Sequence, residues 1–395
     1  MLSGVFMLTE SLKYSLRYML SWVFMGVERV FRERVRELEE YRAKLKNPEV
    51  FDLKVVPSRI YERKELSVIV ERMAEYKVLK IPQNIIVFGF RGCGKTVSIL
   101  HLLRILKNEG RLKTFYVKAR DCPSTYSIYQ KMTGISGVGY HMSMLMEKSL
   151  SIYREDSVIV VDDADFLEDF NFLYTFTRES NASIILLAQN IQIINKIDES
   201  TYSSMQPLKL YFAEYTPEEL YQILRMRAED GLYRWDDRAL RLLSAIVVRD
   251  YRSDARIAIK SLMRLAVSDK WDEENVRRTV EEASREIESL TLRELRDRDL
   301  LTLYIVSKVK ETSKAYPIFN TYIAKYEGRF LTKPIFFRIL NYLQNLGLIT
   351  QVKKRVGRSF TIEVDPLIDE KTLEREVQER FGKIEVKIER NEVTR

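Results

Sequence analysis

The chain has 395 residues and a formal net charge of +8 at pH 7, a length that fits three domains of ordinary size. Only two cysteines occur, Cys93 and Cys122, which excludes a disulfide framework and favours a reducing cytosol. The two histidines, His101 and His141, have no neighbouring ligand residues, so neither a zinc site nor a Ser-His-Asp triad is predicted.

The first 31 residues are rich in Leu, Phe, Met and Trp. Charged side chains interrupt this apolar run, so we predict no membrane span; they are Glu10, Lys13, Arg17, Glu28 and Arg29. No signal-peptide cleavage site follows the run. Three interpretations remain: a helix packed on the rest of the chain, a helix for a partner or membrane surface, or a true start nearer Met19 or Met25. We favour the first or the third.

Residues 85–100 read IIVFGFRGCGKTVSIL, a β-branched run followed by Gly89-x-x-x-x-Gly94-Lys95-Thr96 and an amphipathic stretch. In a phosphate-binding loop the glycines aim backbone N–H groups at the phosphates, the lysine reaches the β- and γ-phosphates, and the Thr hydroxyl holds Mg²⁺. A glycine-rich turn without a ligand has no use for Lys95 followed by Thr96. The segment therefore predicts nucleoside triphosphate binding by Gly89, Phe90, Arg91, Gly92, Cys93, Gly94, Lys95, Thr96 and Val97.

A second motif follows at residues 157–167, SVIVVDDADFL, where four β-branched residues lead into adjacent acids. A buried parallel strand of this kind is expected to carry Asp162 to the Mg²⁺ shell, beside Thr96. Asp163 then occupies the position of a water-orienting base. Because aspartate is one methylene shorter than glutamate, we expect slow hydrolysis.

A third strand, SIILLA at residues 183–188, ends at Gln189 and Asn190. Ligands bind at the carboxyl edge of open α/β sheets, so Asn190 could sense the γ-phosphate or position the attacking water. An asparagine also suits the turn after a strand, and the residue by itself favours that interpretation. Three strands separated by helices predict a parallel, doubly wound sheet.

The segment from Thr216 to about Leu290 contains amphipathic helices without strand runs. It begins with an N-cap, a proline at the first helical position and a capping-box acid, Thr216-Pro217-Glu218-Glu219. We predict a helical lid. Its third helix is expected to start at Ser253 as the cap, with Arg256 one turn in and able to reach a phosphate.

Residues 301–360 contain eleven lysines and arginines against two glutamates, so this stretch carries +9 and the rest of the chain −1. Such an asymmetry is typical of a phosphate-backbone binder, whereas a solvated charged face usually mixes signs. Three helical patterns and a hairpin around Arg355-Val356-Gly357-Arg358 predict a winged helix. Its third helix would enter the major groove, and Arg355 and Arg358 of the wing would meet a minor groove. The expected DNA-binding residues are Thr332, Lys333, Arg338, Lys353, Lys354, Arg355, Gly357 and Arg358. A winged helix can also dock proteins, and here only its charge favours DNA.

Over roughly residues 45–365 the chain resembles the AAA+ replication initiators, the archaeal origin-binding proteins and their eukaryotic relatives. The motifs occur in the same order: the adenine-side segment around Asn47-Pro48, Pro57 and Arg63, the phosphate loop, IVVDDADFL, LLAQN and SDARIAIKSLMRLA. The resemblance implies that Asn190 and Arg256 are the two nucleotide sensors and act in catalysis with Asp163. It implies ATP or ADP and Mg²⁺ as cofactors, with Pro57 and Arg63 on the nucleotide.

Two features depart from the family pattern. Asp162-Asp163 stands where the family usually has Asp-Glu, and Ser200 stands where it tends to place an arginine that completes a neighbour's site. Hydrolysis stimulated across a subunit interface is therefore doubtful, and a slow nucleotide switch is favoured.

The expected fold class is α/β, an AAA+ P-loop ATPase core with a helical lid and a C-terminal winged helix. The expected segments are 1–46 (helical extension), 47–214 (core), 215–292 (lid), 293–366 (winged helix) and 367–395 (helix and tail). The resemblance implies a cytoplasmic, nucleoid-associated, ATP-binding origin-recognition protein with weak ATPase activity. Its expected partners are double-stranded DNA and a replicative helicase or paralogous initiators. The sequence leaves the oligomeric state open and is compatible with a monomer in solution. The alternative is a DNA-binding regulator, or a plasmid or viral P-loop ATPase, that loads no helicase.

Overall fold

The computed structural model describes residues 28–36, 38–110, 112–137, 139–268, 270–356, 359–382 and 384. The interpretations of residues 1–27 lie outside this range. The helices are α1 (helical backbone at residues 28–36 and 38–43), α2 (Lys64–Leu79), α3 (Lys95–Asn108), α4 (Thr125–Thr133), α5 (Met142–Tyr153), α6 (Asn171–Glu179), α7 (Glu199–Met205), α8 (Pro217–Gly231), α9 (Asp237–Asp250), α10 (Ala255–Ser268), α11 (Glu273–Arg293), α12 (Asp297–Val309), α13 (Thr312–Glu327), α14 (Lys333–Asn345) and α15 (Glu370–Phe381). The strands are β1 (Ile85–Phe88), β2 (Lys113–Lys118), β3 (Ser157–Asp162), β4 (Ser183–Ala188), β5 (Leu208–Tyr211), β6 (Ile349–Val356) and β7 (Ser359–Pro366).

Five strands form one parallel sheet in the order β2-β3-β4-β1-β5. Strands β3 and β4 are buried over their whole length, as their uninterrupted apolar sequences predict. Helices cover both faces: Ile159 and Val161 pack with residues of α4, α5 and α6, whereas Val158 packs with residues of α2 and α3. The predicted parallel, doubly wound sheet is confirmed.

Helices α8 to α11 share a separate hydrophobic cluster, and α8 starts with the expected capping box. Thr216 accepts a hydrogen bond from the backbone N–H of Glu219, and the Glu219 side chain accepts from that of Thr216. The predicted cap of α10 is wrong. Ser253 has φ +57° and its hydroxyl donates to Tyr215 O, whereas the Asp254 carboxylate accepts from the backbone N–H of Arg256.

Helices α12, α13, α14 and α15 and the antiparallel β6-β7 hairpin share a hydrophobic cluster of their own. An isolated antiparallel bridge between Glu311 and Glu363 adds the α12–α13 turn to the hairpin, and the N–H of Val364 donates to Lys310 O. Three helices and a hairpin are thus present in the order expected for a winged helix. Gly357 and Arg358 of the predicted wing tip lie outside the described residues.

Within the described part of the chain, no helix combines the length and apolarity needed to cross a bilayer.

Candidate nucleotide site and nucleic-acid interface

A cleft of about 330 Å³ opens at the carboxyl edge of the parallel sheet. Its walls come from residues 53–61, the phosphate loop, the ends of β3 and β4, and the lid helices α8 and α10. One wall is apolar, with Leu53, Ile60, Ile223 and Met226 among its residues. Charged side chains, among them Lys95, Asp162 and Arg256, also line the cleft, so it offers surfaces for both a flat base and phosphates.

The phosphate loop needs its glycines because backbone and lid approach it closely. Gly92 and Gly94 have φ of +76° and +87°, a region that disfavours side chains. A Cβ on Gly92 would lie 2.2 Å from Asp254 Oδ1, and one on Gly94 would lie 2.1 Å from the Tyr215 hydroxyl oxygen. The loop therefore fits directly beneath the N-terminus of α10.

The predicted loop residues divide into two groups. Arg91, Gly92, Gly94, Lys95, Thr96 and Val97 line the cleft, whereas Gly89, Phe90 and Cys93 do not. The ammonium group of Lys95 donates to Gly89 O at 2.6 Å and to Phe90 O at 2.8 Å. These two carbonyls hold the Lys95 side chain across the loop. In a phosphate-binding loop, the lysine at this position donates to phosphate oxygens.

Asp162 lies at the end of β3 beside the start of α3. Its Oδ2 accepts hydrogen bonds from the Thr96 hydroxyl at 2.9 Å and the Tyr116 hydroxyl at 2.7 Å, and its Oδ1 accepts from the N–H of Asp163 at 2.9 Å. Burial, followed by the negative charge of Asp163, raises the pKa of the Asp162 carboxyl. Burial, followed by the negative charge of Asp162, raises the pKa of the Tyr116 hydroxyl. The Thr96 hydroxyl and this carboxylate form the oxygen pair that Mg²⁺ prefers.

Asp163 lines the cleft with φ +52°. Its Oδ2 accepts a hydrogen bond from Arg120 Nε at 2.9 Å, so its carboxylate is held in an ion pair. The guanidinium of Arg120 also lies 4.3 Å from the centre of the Phe166 ring. The ion pair with Arg120 therefore restrains the carboxylate that sequence analysis predicts as the water-orienting base.

Arg256 reaches the cleft from the second residue of α10. Its Nε donates to Asp254 Oδ1 at 2.9 Å, and its Nη2 pairs with Asp254 Oδ2. Burial opposes the charge of Arg256, but the Asp254 carboxylate outweighs it and raises the pKa of this arginine. The lid therefore presents a permanent cation, oriented by its neighbour, to the phosphate end.

Of the three remaining predicted residues, Pro57 lines the cleft, whereas Arg63 and Asn190 do not. Pro57 lines the cleft, and its segment is held there by Arg104 of α3, which donates to Val56 O at 3.0 Å. Arg63 is buried and donates to Cys93 O and Ala213 O, so it braces the loop from behind. Asn190 is exposed, and its side chain accepts from the N–H of Gln192 at 3.0 Å. Asn190 takes the turn interpretation in this structure, and its neighbour Gln189 lines the cleft.

Sequence analysis missed Arg120, which lines the cleft from the turn after β2, and Tyr116 of β2, whose hydroxyl donates to Asp162. The only signal was their position at the carboxyl edge, since β2 pairs with β3 in the sheet. It also missed Asp254, which takes the cap and orienting roles beside Arg256.

The predicted DNA-binding surface is partly neutralised in three dimensions. Lys308 pairs with Glu370 and Glu374, and Lys354 with Glu363. These acids lie just beyond the basic stretch in sequence. Among the predicted contacts, Lys333, Arg338 and Lys353 are exposed and form no ion pair with another described residue. Thr332 and Arg355 are exposed as well.

Comparisons with known proteins agree with this architecture. Residues 80–196 match the AAA domain family. The ORC1-type DNA replication protein 1 of Sulfurisphaera tokodaii is 27% identical over 397 residues, covering 90% of this chain and 95% of that protein. Its namesake in Methanothermobacter thermautotrophicus is 23% identical over 83% of this chain and 95% of that protein.

Solved structures show the same fold. The ORC1 protein of Aeropyrum pernix, solved in complex with DNA, has a TM-score of 0.66 at 24% identity, covering 85% of this chain and 97% of that chain. Cdc6p from Pyrobaculum aerophilum has a TM-score of 0.54 at 20% identity, covering 85% of this chain and 99% of that chain. The predicted AAA+ core with a mostly helical remainder is confirmed.

The contact between loop and lid predicts that Gly92→Ala destabilises the protein. The new Cβ would collide with Asp254, and the alanine would keep a strained positive φ. We therefore expect Gly92→Ala to lower the free energy of unfolding by about 1–3 kcal/mol more than Gly134→Ala does. Gly134 has φ +69° with nothing within 4 Å of its Cβ position, so it isolates the backbone strain. Urea denaturation of both variants measures the difference, and equal losses would refute the close approach.

The buried Asp162 predicts a conflict between stability and function. Its raised pKa means that ionisation disfavours the folded state, so this cost is present when pH exceeds the folded pKa. Asp162→Asn should therefore increase the free energy of unfolding at pH 7 without Mg²⁺. Asp198→Asn is the opposite control, because hydrogen bonds from Thr201 lower the pKa of Asp198 and its charge stabilises the fold. Destabilisation by both variants would contradict this assignment.

Proposed function

We propose that this chain, which belongs to the archaeal AAA+ replication initiator family, is an ATP-binding replication initiator that recognises duplex DNA. One observation carries the proposal. The Gly-x-x-x-x-Gly-Lys-Thr loop, the Thr96–Asp162 pair and Arg256 line one cleft, and a helix–hairpin module with exposed cations follows in the same chain. Two relatives that this chain matches over 95% of their length are named DNA replication proteins.

ATP is the nucleotide that the cleft suits. Lys95 and the loop N–H groups would hold the β- and γ-phosphates, and Arg256 would close on them from the lid. Structures of an Aeropyrum pernix ORC2 protein contain ADPNP and ADP, and the fold is shared. Thr96 and Asp162 would hold Mg²⁺ together with the phosphates and water, which is how this ion is usually bound. The ion would neutralise charge on the phosphates.

Hydrolysis would be slow. Asp163 is the candidate base that would orient the attacking water, and its carboxylate is paired with Arg120. Ser200, at the position where the resemblance implies an arginine, accepts a hydrogen bond from Arg178 at 2.6 Å. A nucleotide that persists for long periods suits a switch between ATP and ADP states better than a motor.

DNA binding would use the N-terminal end of α14 and the β6-β7 hairpin, with Lys333, Arg338 and Lys353 as the strongest candidates. Each is exposed and forms no ion pair within the described residues, so each can release counterions from a DNA backbone. Paralogous initiator subunits are partners consistent with the family. A regulator or mobile-element ATPase, the alternative drawn from sequence, is not favoured, because the curated relatives matched over nearly their full length are replication proteins.

Replacing the loop lysine should separate nucleotide from DNA binding. Lys95→Ala removes the ammonium that would hold the phosphates, so we expect ATP affinity to fall at least about 100-fold while duplex binding in the absence of nucleotide persists. Equilibrium dialysis with ATP and anisotropy with a labelled duplex measure the two. Normal ATP affinity in the variant would contradict the loop assignment.

Removing three candidate cations should weaken the grip on DNA. In Lys333→Ala/Arg338→Ala/Lys353→Ala, the slope of log K against log salt should become less negative by about 2–3, since each phosphate contact contributes about −0.9. A control removes the same charge from exposed lid arginines, Arg238→Ala/Arg249→Ala/Arg277→Ala. Duplex from around the protein's own gene is compared with a scrambled duplex. Equal slopes for the two triple variants would show that the module is not the DNA-binding surface.

A further inference from the structure

The C-terminal end of α14 touches the phosphate loop directly. Arg91 Nη1 donates to Leu346 O at 2.8 Å, and Leu346 is the residue that follows α14. Arg91 also lines the cleft. One side chain therefore lies between the phosphate end of the site and the helix assigned to DNA.

A second contact lies beside the first. The Phe166 ring, four residues after Asp162, packs edge-on against Tyr342 of α14, with ring centres 5.2 Å apart. The guanidinium of Arg120, which is paired with Asp163, also lies against the Phe166 ring. Phe166 packs against the hydrophobic clusters of both the core and the C-terminal module. The catalytic edge of β3 and the end of α14 thus share one packed surface.

Charge at this junction favours an anion. Burial and the neighbouring cations Arg256 and Arg120 lower the pKa of Arg91 to about 10, which still leaves the guanidinium charged at neutral pH. A guanidinium carries five N–H donors in a planar fork, and that of Arg91 makes one hydrogen bond, to Leu346, with the described residues. Its remaining N–H groups can donate to a phosphate oxygen while Nη1 keeps its hydrogen bond to Leu346 O, because the fork offers donors on more than one edge.

We propose that Arg91 binds the terminal phosphate of ATP and the Leu346 carbonyl at the same time, so that ATP, but not ADP, fixes the C-terminal module against the core. This inference rests on the proposed function and names a route that bypasses the lid. The other end of α14, with Lys333, lies ~20 Å away along the helix axis. A helix held at one end presents the other in a defined orientation, so ATP should tighten duplex binding.

The coupling is measured as the ratio of duplex dissociation constants with ADP and with ATP. We expect at least about fivefold in the unmodified protein, the lower end of ordinary coupling. The same factor should appear in reverse, as duplex raising the affinity for ATP over ADP. Both ratios come from anisotropy titrations at one salt concentration.

Three variants assign the route. Arg91→Ala should lower ATP affinity about tenfold, leave ADP affinity unchanged and reduce the duplex ratio to one. Tyr342→Ala breaks the packing but touches no nucleotide, so it should keep both nucleotide affinities and still lose the duplex ratio. Gln344→Ala, exposed on the same helix, should keep everything.

The outcomes separate this inference from the function beneath it. An unmodified protein that binds ATP and duplex with a ratio of one, or an Arg91→Ala variant that keeps the ratio, overturns the coupling and leaves the initiator proposal standing. Failure of the unmodified protein to bind ATP or duplex overturns both.

Discussion

The burial of both faces of the parallel sheet is the constraint on which the site depends. Strands β3 and β4 have no exposed residue, so polar groups can emerge only where these strands end. Asp162 is the last residue of β3, and Gln189 directly follows β4. The phosphate loop follows β1 at the same edge. A core that excludes polar groups therefore gathers them in one place, and the cleft forms there.

At that edge, the chain's own residues pair the charges. Asp162 accepts from Thr96 and Tyr116, while Asp163 is paired with Arg120 and Asp254 with Arg256. Buried charges persist only when they are compensated in this manner. The pairing also orients the groups in advance, which reduces the reorganisation that binding a phosphate requires.

In the C-terminal module, the net charge of a stretch of sequence overstates the positive charge of the folded surface. The basic stretch ends at Phe360, and the acids that neutralise Lys308 and Lys354 follow within fifteen residues. Antiparallel pairing places Lys354 opposite Thr361, which brings Glu363 on the same strand within reach. The remaining exposed cations form a smaller and better-defined footprint. Within this footprint, Lys333 lies at the opposite end of α14 from the junction at Arg91.

Sequence by itself determined the core of this protein. The Gly-x-x-x-x-Gly-Lys-Thr spacing, the apolar strand ending in Asp162 and the capping box at Thr216 are local patterns whose physics requires only neighbouring residues. The tertiary structure alone decided which side chains meet across the chain. Asn190 lies outside the cleft and forms a local hydrogen bond, and Asp254, where Ser253 was predicted, caps α10. The contact of Arg91 with Leu346 joins residues 255 positions apart, a separation over which no local pattern in one sequence carries information.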